Sequence, residues 1–328
     1  MKRKIEFQYV RSFEFCDKNH FWIVKGITIL VALIAWFCRE YFGTPNMEYV
    51  IGTATAVFVL CSGFGVSESY LRKRGLFHYW ENKIVKVWLP SLIVLVVLSL
   101  IRGEHMLKWV TEYYVALKGN FMYVIFGGYI VFWVAFKFVQ NRTARLLMLF
   151  GAAIVAFVFI PEEFSGVFSD KAQLLCFPVG VLVSQKVWKR KIRNYKGGGK
   201  FLLLITFAAM TAAGWYATTL VTIPYLSTLV KSVFYMAAAI TILVLTWILR
   251  PVPVMGAFVP VGMASYMLYM LYDSVFELWK PNAGWRVFTL VVAILLVCAG
   301  VLTWLRELLI RWNKNLRRKG KTHLKGSM

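Results

Sequence analysis

Long apolar runs, broken by short polar and basic segments, dominate the chain. Ten are long enough to cross a hydrocarbon core of about 30 Å: residues 21–41, 48–68, 86–102, 121–139, 144–160, 172–188, 201–220, 228–249, 254–273 and 286–306. Within each run the hydrophobic positions are continuous. A β-barrel would show short segments alternating with a period of two, so the pattern predicts an all-α, polytopic transmembrane helix bundle of about ten spans. Several runs lie at the short end of the spanning range. The sixth contains Pro178 and Gly180, and the ninth begins beside Pro251 and Pro253. Kinked or irregular helices are expected at both places.

Composition agrees with the pattern. The 328 residues are 59% hydrophobic and 16% charged, with a mean hydropathy of +0.64. A soluble domain is roughly 45–50% apolar and about 25% charged, so a soluble enzyme and a disordered chain are both excluded. The first apolar run continues for about twenty residues, longer than the 7–15 of a cleavable signal. We read it as a retained signal anchor. The organisation expected is a tail (1–20), one membrane domain (21–306) and a basic tail (307–328).

The formal net charge is +23. Of the 38 Lys and Arg residues, 29 fall in the two tails and the loops that share their side, eight in the opposite loops, and Lys25 inside the first span. By the positive-inside rule both termini are cytoplasmic. The same distribution removes a nucleic-acid reading, because the charge is spread beside headgroups rather than gathered on a binding face. The basic loop Lys186–Lys200 is a topology determinant and a candidate landing site for an anionic cytosolic donor. Cysteines are five in number, four of them in apolar runs (Cys38, Cys61, Cys176, Cys298). They read as packing residues rather than a disulfide framework.

An ionisable residue inside a membrane is costly and marks a candidate site. Lys25 lies near the inner end of the first span, Arg39 and Glu40 near its outer end, Glu68 at the end of the second, Lys83 and Lys86 at the start of the third, and Asp273 and Glu277 at the end of the ninth. Snorkelling to headgroups accounts equally well for Lys25 and for the Lys83/Lys86 pair. The four histidines (His20, His78, His105, His323) lie in tails and loops. Metalloprotease, paired CxxC, Walker and GxSxG patterns are absent from the sequence.

Four segments together resemble the integral-membrane acyltransferase family 3, the O-acyltransferases of cell-surface glycans. Lys25-Gly26 followed by an aliphatic stretch looks like the family's opening span. Phe58 to Gly65, with Ser62-Gly63-Phe64, is similar to its Ser-Gly-aromatic segment. Lys83-Ile84-Val85-Lys86, running on to Pro90, is similar to its basic-x-x-basic motif. Gly262 to Tyr272, with Ser265-Tyr266, resembles its late Ser-Tyr segment. The resemblance extends over the whole chain. It implies transfer of an acyl group, acetyl above all, from cytosolic acyl-CoA to a hydroxyl of a surface polysaccharide or lipid-linked sugar. The setting it implies is a bacterial cytoplasmic membrane, with membrane lipids as partners and no tightly bound cofactor. Lys25, Lys83 and Lys86 would attract donor phosphates. Ser62 and Gly63 would let helices approach near the acyl path. Ser265 and Tyr266 would line the substrate site, and Tyr266 and Tyr272 would hydrogen-bond reacting groups.

The departures are as informative as the matches. The family's presumed catalytic His stands eleven positions after the basic residue of the first span, about 16 Å along one helix face. Here that position is Trp36, and an indole accepts no proton at neutral pH. Tyr272 stands where the late segment usually ends in His, and the basic pair is Lys-x-x-Lys, which keeps charge but loses the bidentate fork. Glu40, one turn beyond Trp36, and Asp273, beside Tyr272, are the candidate replacement bases. Three readings follow: an acyltransferase with a relocated base, a non-catalytic relative that binds donor, lipid or glycan, and a transporter. The nearly uncharged midplane argues against the last.

Overall fold

The computed structural model describes residues 15–73, 75–76, 78–90, 92, 96, 100, 122–160, 171–185, 195, 197–277 and 284–326. Most of the third apolar run, the first fourteen residues of the N-terminal tail and most of the 186–200 loop lie outside them. Among the described residues there is no strand. The helices are α1 (Lys18–Phe42), α2 (Met47–Lys73), α3 (Tyr79–Lys83), α4 (Met122–Phe138), α5 (Arg142–Phe159), α6 (Cys176–Val183), α7 (Gly197–Leu220), α8 (Pro224–Leu249), α9 (Phe258–Glu277) and α10 (Trp285–Gly326). A π-turn, Ile84–Trp88, continues α3, and 3₁₀ turns at Lys171–Gln173 and Pro253–Ala257 precede α6 and α9.

Among the described residues seven helices are long and apolar enough to cross a membrane, and Val124–Phe138 and Lys171–Val183 are shorter apolar helical segments. The bundle is therefore an all-α polytopic one. Two of the expected spans differ from simple helices. The sixth apolar run contains a helix of only eight residues, about 12 Å long. It nevertheless runs beside most of α2. Gln173 Nε2 donates to the Gly52 carbonyl at 3.0 Å, and Ser184 Oγ meets Ser67 Oγ at 2.5 Å. Gly52 and Ser67 are fifteen residues apart on α2, about 22 Å, a length the run covers by stretching through its 3₁₀ turn. The ninth run starts with the 3₁₀ turn at Pro253, as its prolines lead one to expect. The tenth helix does not stop at 306 but continues through the basic tail to Gly326.

Local sequence sets the ends. The Asp17 carboxylate accepts the His20 amide at 2.7 Å and caps α1. Asn141 caps α5 in the same way through Thr143 and Ala144. Pro224 opens α8, where its missing N–H costs nothing.

Helices α1 and α2 form the centre. The first packs against α2, α8 and α9, the second against α4, α6 and α8. Their buried side chains include Leu33, Trp36, Phe37, Ile51 and Leu60. Helices α5 and α7 lie at the periphery, with Ile154, Phe159, Leu202 and Ile205 exposed, as lipid-facing surfaces require. Lipid tails are as apolar as leucine, so close backbone approach does much of the packing. Two crossings display it. A Cβ on Gly63 would fall on the Phe177 carbonyl, and one on Gly180 would fall on the Leu60 carbonyl. At the α1–α9 crossing, a Cβ on Gly26 would strike the Phe258 carbonyl and one on Gly262 the Trp22 carbonyl. Two of the four motif segments thus contribute glycines to one crossing, and a third supplies Gly63 to the other.

Candidate functional site

At the end of the bundle where α2 finishes and α3 begins lies a cavity of about 260 Å³. Its lining includes Ser69, Tyr70, Arg72, Tyr79, Asn82 and Lys83. The wall is polar and carries two cations. Arg145 lies behind it, with its guanidinium 3.5 Å from the Tyr70 hydroxyl and 4.8 Å from the Phe136 ring centroid.

Tyr129, on α4, organises this end. The Lys83 ammonium sits 3.8 Å from the centre of its ring, a cation–π contact. Its carbonyl accepts the Tyr79 hydroxyl at 2.9 Å. Its own hydroxyl lies beside Ser62. Burial pushes the Tyr79 phenol well above its ordinary range, and the neighbouring Tyr129 adds to the rise. Tyr79 therefore stays a donor at any physiological pH. Ser62 from the second motif and Lys83 from the third meet on one side chain that the sequence reading passed over.

The π-turn brings in the late motif. The Tyr266 hydroxyl donates to the Val87 carbonyl at 3.0 Å, which ties α9 to the segment that follows Lys83. A π-turn displaces carbonyls from the regular i→i+4 ladder and is frequent at functional sites. Ser265 is buried and donates to the Gly262 carbonyl one turn back, at 2.8 Å, so its hydroxyl serves the helix. Tyr269, a turn beyond, reaches Thr55 Oγ1 at 3.1 Å.

The other expected site residues are distributed as follows. Lys25 is half-buried on α1 with its ammonium 5.9 Å from the Phe58 ring. Gly63 is buried at the α2–α6 crossing rather than open to a ligand. Lys86 lies in the π-turn, and Tyr272 and Asp273 lie on α9; the side chains of all three are outside the described residues. Trp36 is only 3% exposed and belongs to the core. Glu40 sits at the opposite end of α1 from the cavity, ion-paired with Arg39 at 2.8 Å. Among the described residues no three His, Cys, Asp or Glu side chains gather as a metal site would need.

A second polar cluster escaped the sequence reading altogether. His20 is fully buried. Its Nδ1 accepts the Cys16 amide at 3.1 Å, so its proton is on Nε2, which faces Thr246 Oγ1 at 3.0 Å. The Arg250 guanidinium pairs with Asp17 at 2.6 Å. The cluster binds the start of α1 to the end of α8. The available signal was spacing: Asp17 and His20 are three apart, Thr246 and Arg250 four apart, each pair on one face of its helix.

The family model for an acyltransferase domain, of acyltransferase family 3, matches residues 19–305. The chain belongs to this family, and it is a multi-pass membrane protein of acyltransferase type. No curated protein and no solved structure matches the chain.

Proposed function

We propose that the protein transfers an acyl group, acetyl in the first instance, from cytosolic acyl-CoA to a hydroxyl of a surface polysaccharide or lipid-linked sugar. The membrane would be a bacterial cytoplasmic membrane. The observation that carries the reading is the basic cavity: Lys83 and Arg72 line a polar recess of about 260 Å³ at the α2–α3 end, the end to which the charge distribution assigns the cytoplasm. Donor phosphates would pair with these cations, and Lys86 stands three residues further on. In the reaction the acceptor oxygen attacks the thioester carbonyl, the C–S bond breaks, and the thiolate leaves. The hydroxyl proton passes to a base and from there to the departing thiol. Tyr79 and Tyr129 are neutral hydrogen-bonding groups and do not supply that base. Glu40 and Asp273 are the candidates, with Tyr272 beside Asp273.

The second reading is a relative that binds donor and glycan without turnover. Trp36 favours it, because a buried indole occupies the position that the family resemblance gives to the base. The deciding experiment follows thiol release from acetyl-CoA by the full chain in nanodiscs, with a membrane extract as acceptor source. Glu40→Gln and Asp273→Asn variants run in parallel. Protein-dependent release that falls in one variant supports acyl transfer with a relocated base. Saturable donor binding without release supports the non-catalytic relative. Neither release nor binding overturns both.

A further inference from the structure

We infer that the turn between α4 and α5 is a binding site for one anionic phospholipid of the inner leaflet, with its headgroup phosphate held by Lys137, Arg142 and Arg145. The inference stands apart from the acyl-transfer reading, since its ligand is neither donor nor acceptor.

Charge comes first. Segment 122–160 contains no Asp or Glu, yet Lys137, Arg142 and Arg145 gather around its turn. Among the described residues no carboxylate pairs with any of the three. Carboxylates of the neighbouring α2 and α3 are engaged elsewhere: Glu68 faces Arg72 at 3.9 Å, and Glu81 faces His78 at 2.7 Å. Aromatic rings hold the cations instead. The Lys137 ammonium lies 4.4 Å from the centre of the Trp133 ring and 5.1 Å from that of Phe138. The Arg145 guanidinium lies 4.8 Å from the Phe136 ring centre, and its Nε donates to the Val139 carbonyl at 2.6 Å. A ring face keeps a cation in place without supplying a counter-ion. Lys137 and Arg142 are exposed and Arg145 is half-buried, so an anion can reach them.

The surroundings separate a lipid from a soluble anion. Phe138 and Leu147, on either side of the turn, are 66% and 67% exposed. Trp133 is half-buried beside Trp80, with ring centroids 5.9 Å apart, and indoles favour the headgroup level of a bilayer. A ligand that covers this surface must be anionic at the turn and apolar along the helices. A phospholipid is both: its phosphate meets the cations, and its chains run along Phe138 and Leu147. The absence of acid in the segment also selects the headgroup. A zwitterionic lipid brings an ammonium that finds no carboxylate on these two helices, whereas an anionic lipid brings only the charge that the turn lacks. The Arg145 guanidinium also lies 3.5 Å from the hydroxyl of Tyr70, which lines the basic cavity. The lipid site and the cavity therefore share a wall.

The test titrates the full chain in detergent with phosphatidylglycerol or phosphatidylcholine, without acyl donor, and counts bound lipid by native mass spectrometry. One saturable phosphatidylglycerol is expected, bound at least tenfold more tightly than phosphatidylcholine, with slower hydrogen exchange across 137–145. Lys137→Gln and Arg142→Gln are each expected to weaken it about fivefold, the usual worth of one basic residue beside an anionic headgroup. Both side chains are exposed, so the Tm without added lipid should stay unchanged. Lys18→Gln is the matched control. Its ammonium also sits over an indole, 4.3 Å from the Trp22 ring centre, but on α1, and its removal should cost less than twofold. Equal losses in Lys18→Gln would mean diffuse attraction to the basic face and would overturn the site. Equal affinity for the two lipids, or protection confined to other segments, would overturn it as well. Inorganic phosphate alone should leave 137–145 unprotected; protection by phosphate would make the ligand a soluble anion and remove the lipid. Acetyl-CoA turnover has no part in these readouts, so they stand or fall separately from the acyl-transfer reading.

Discussion

The hydroxyl of Tyr266 donates to the carbonyl of Val87 across 179 positions of sequence, at 3.0 Å. This bond fastens the late Ser-Tyr motif to the π-turn that carries the basic motif. It makes Tyr266 a clamp on the turn, where the resemblance alone suggested contact with substrate. Tyr266→Phe keeps the ring and removes only the bond, worth about 1 kcal/mol. The expected result is faster hydrogen exchange across 84–88 and a donor concentration dependence shifted roughly fivefold. Rate at saturating donor should be little changed. A large loss at saturation would instead place the hydroxyl among the reacting groups.

Lys83 should matter through its charge. Its ammonium is held over Tyr129 at the cavity wall, and a charge-assisted contact to phosphate is worth about 1.5–3 kcal/mol. Lys83→Met is expected to weaken nucleotide-thioester binding by about tenfold or more, and to flatten its salt dependence. Tyr129→Phe removes the hydroxyl beside Ser62 but keeps the ring beneath the ammonium. It should therefore cost much less in donor affinity than Lys83→Met. Titration of each variant with acetyl-CoA at two ionic strengths measures both.

How far these features could be read from the sequence differs by kind. Lys83 stood out because a cation beside an apolar run needs an explanation. Gly26 and Gly63 stood out because they lie in motif segments, and both prove to be points of backbone contact. Tyr129 did not stand out. A tyrosine in an aromatic-rich span looks like packing until its three neighbours are known, and all three come from more than forty positions away. His20 and Arg250 were assigned to a tail and a loop for the same reason. Each helix end reads as solvated charge, and only the α1–α8 contact turns the two into one buried cluster. The sixth span was legible as an apolar run, but not as a turn followed by eight helical residues. Its course is set by Gly52 and Ser67 on another helix.

The glycine crossings make a stability prediction. At Gly262 a methyl group would meet the Trp22 carbonyl, and at Gly180 the Leu60 carbonyl. Backbone atoms do not yield as side chains do, so the helices must separate. Gly262→Ala and Gly180→Ala are each expected to lose about 1–3 kcal/mol, seen as lower yield of folded protein and a lower Tm in detergent. Gly65→Ala, where a Cβ meets nothing within 4 Å, is the matched control and should be near neutral.

The Asp17–Arg250 pair should prove structural. The Arg250 side chain is 6% exposed and Asp17 24%, so removal of one partner leaves a charge largely out of water. Such losses run to about 3–5 kcal/mol in buried sites. Asp17→Asn isolates the pair, because an asparagine still caps α1 through the His20 amide. We expect Arg250→Met to lower the Tm strongly, and Asp17→Asn to lower it by a smaller step. The double variant should be less destabilised than the sum of the two. Simple additivity would mean that the pair contributes nothing to the α1–α8 contact.

Trp36 gives the sharpest division between the two functional readings. It is 3% exposed and lies in the cluster with Leu33, Phe37 and Val57. Its loss should act through packing: Trp36→Ala is expected to cost about 3–5 kcal/mol and to deplete folded protein from the membrane. Trp36→Phe should cost less and leave donor binding intact. Trp36→His is the informative change, since it restores the residue type that the resemblance implies at this point of the first span. In an enzyme with a relocated base, that histidine has no task, and thiol release should fall with the packing defect. In a relative that lost only its base, the donor cavity at Lys83 is already built, and the same substitution should raise thiol release above the wild-type background. The Tm of each variant, measured beside its turnover, separates the packing loss from the chemistry.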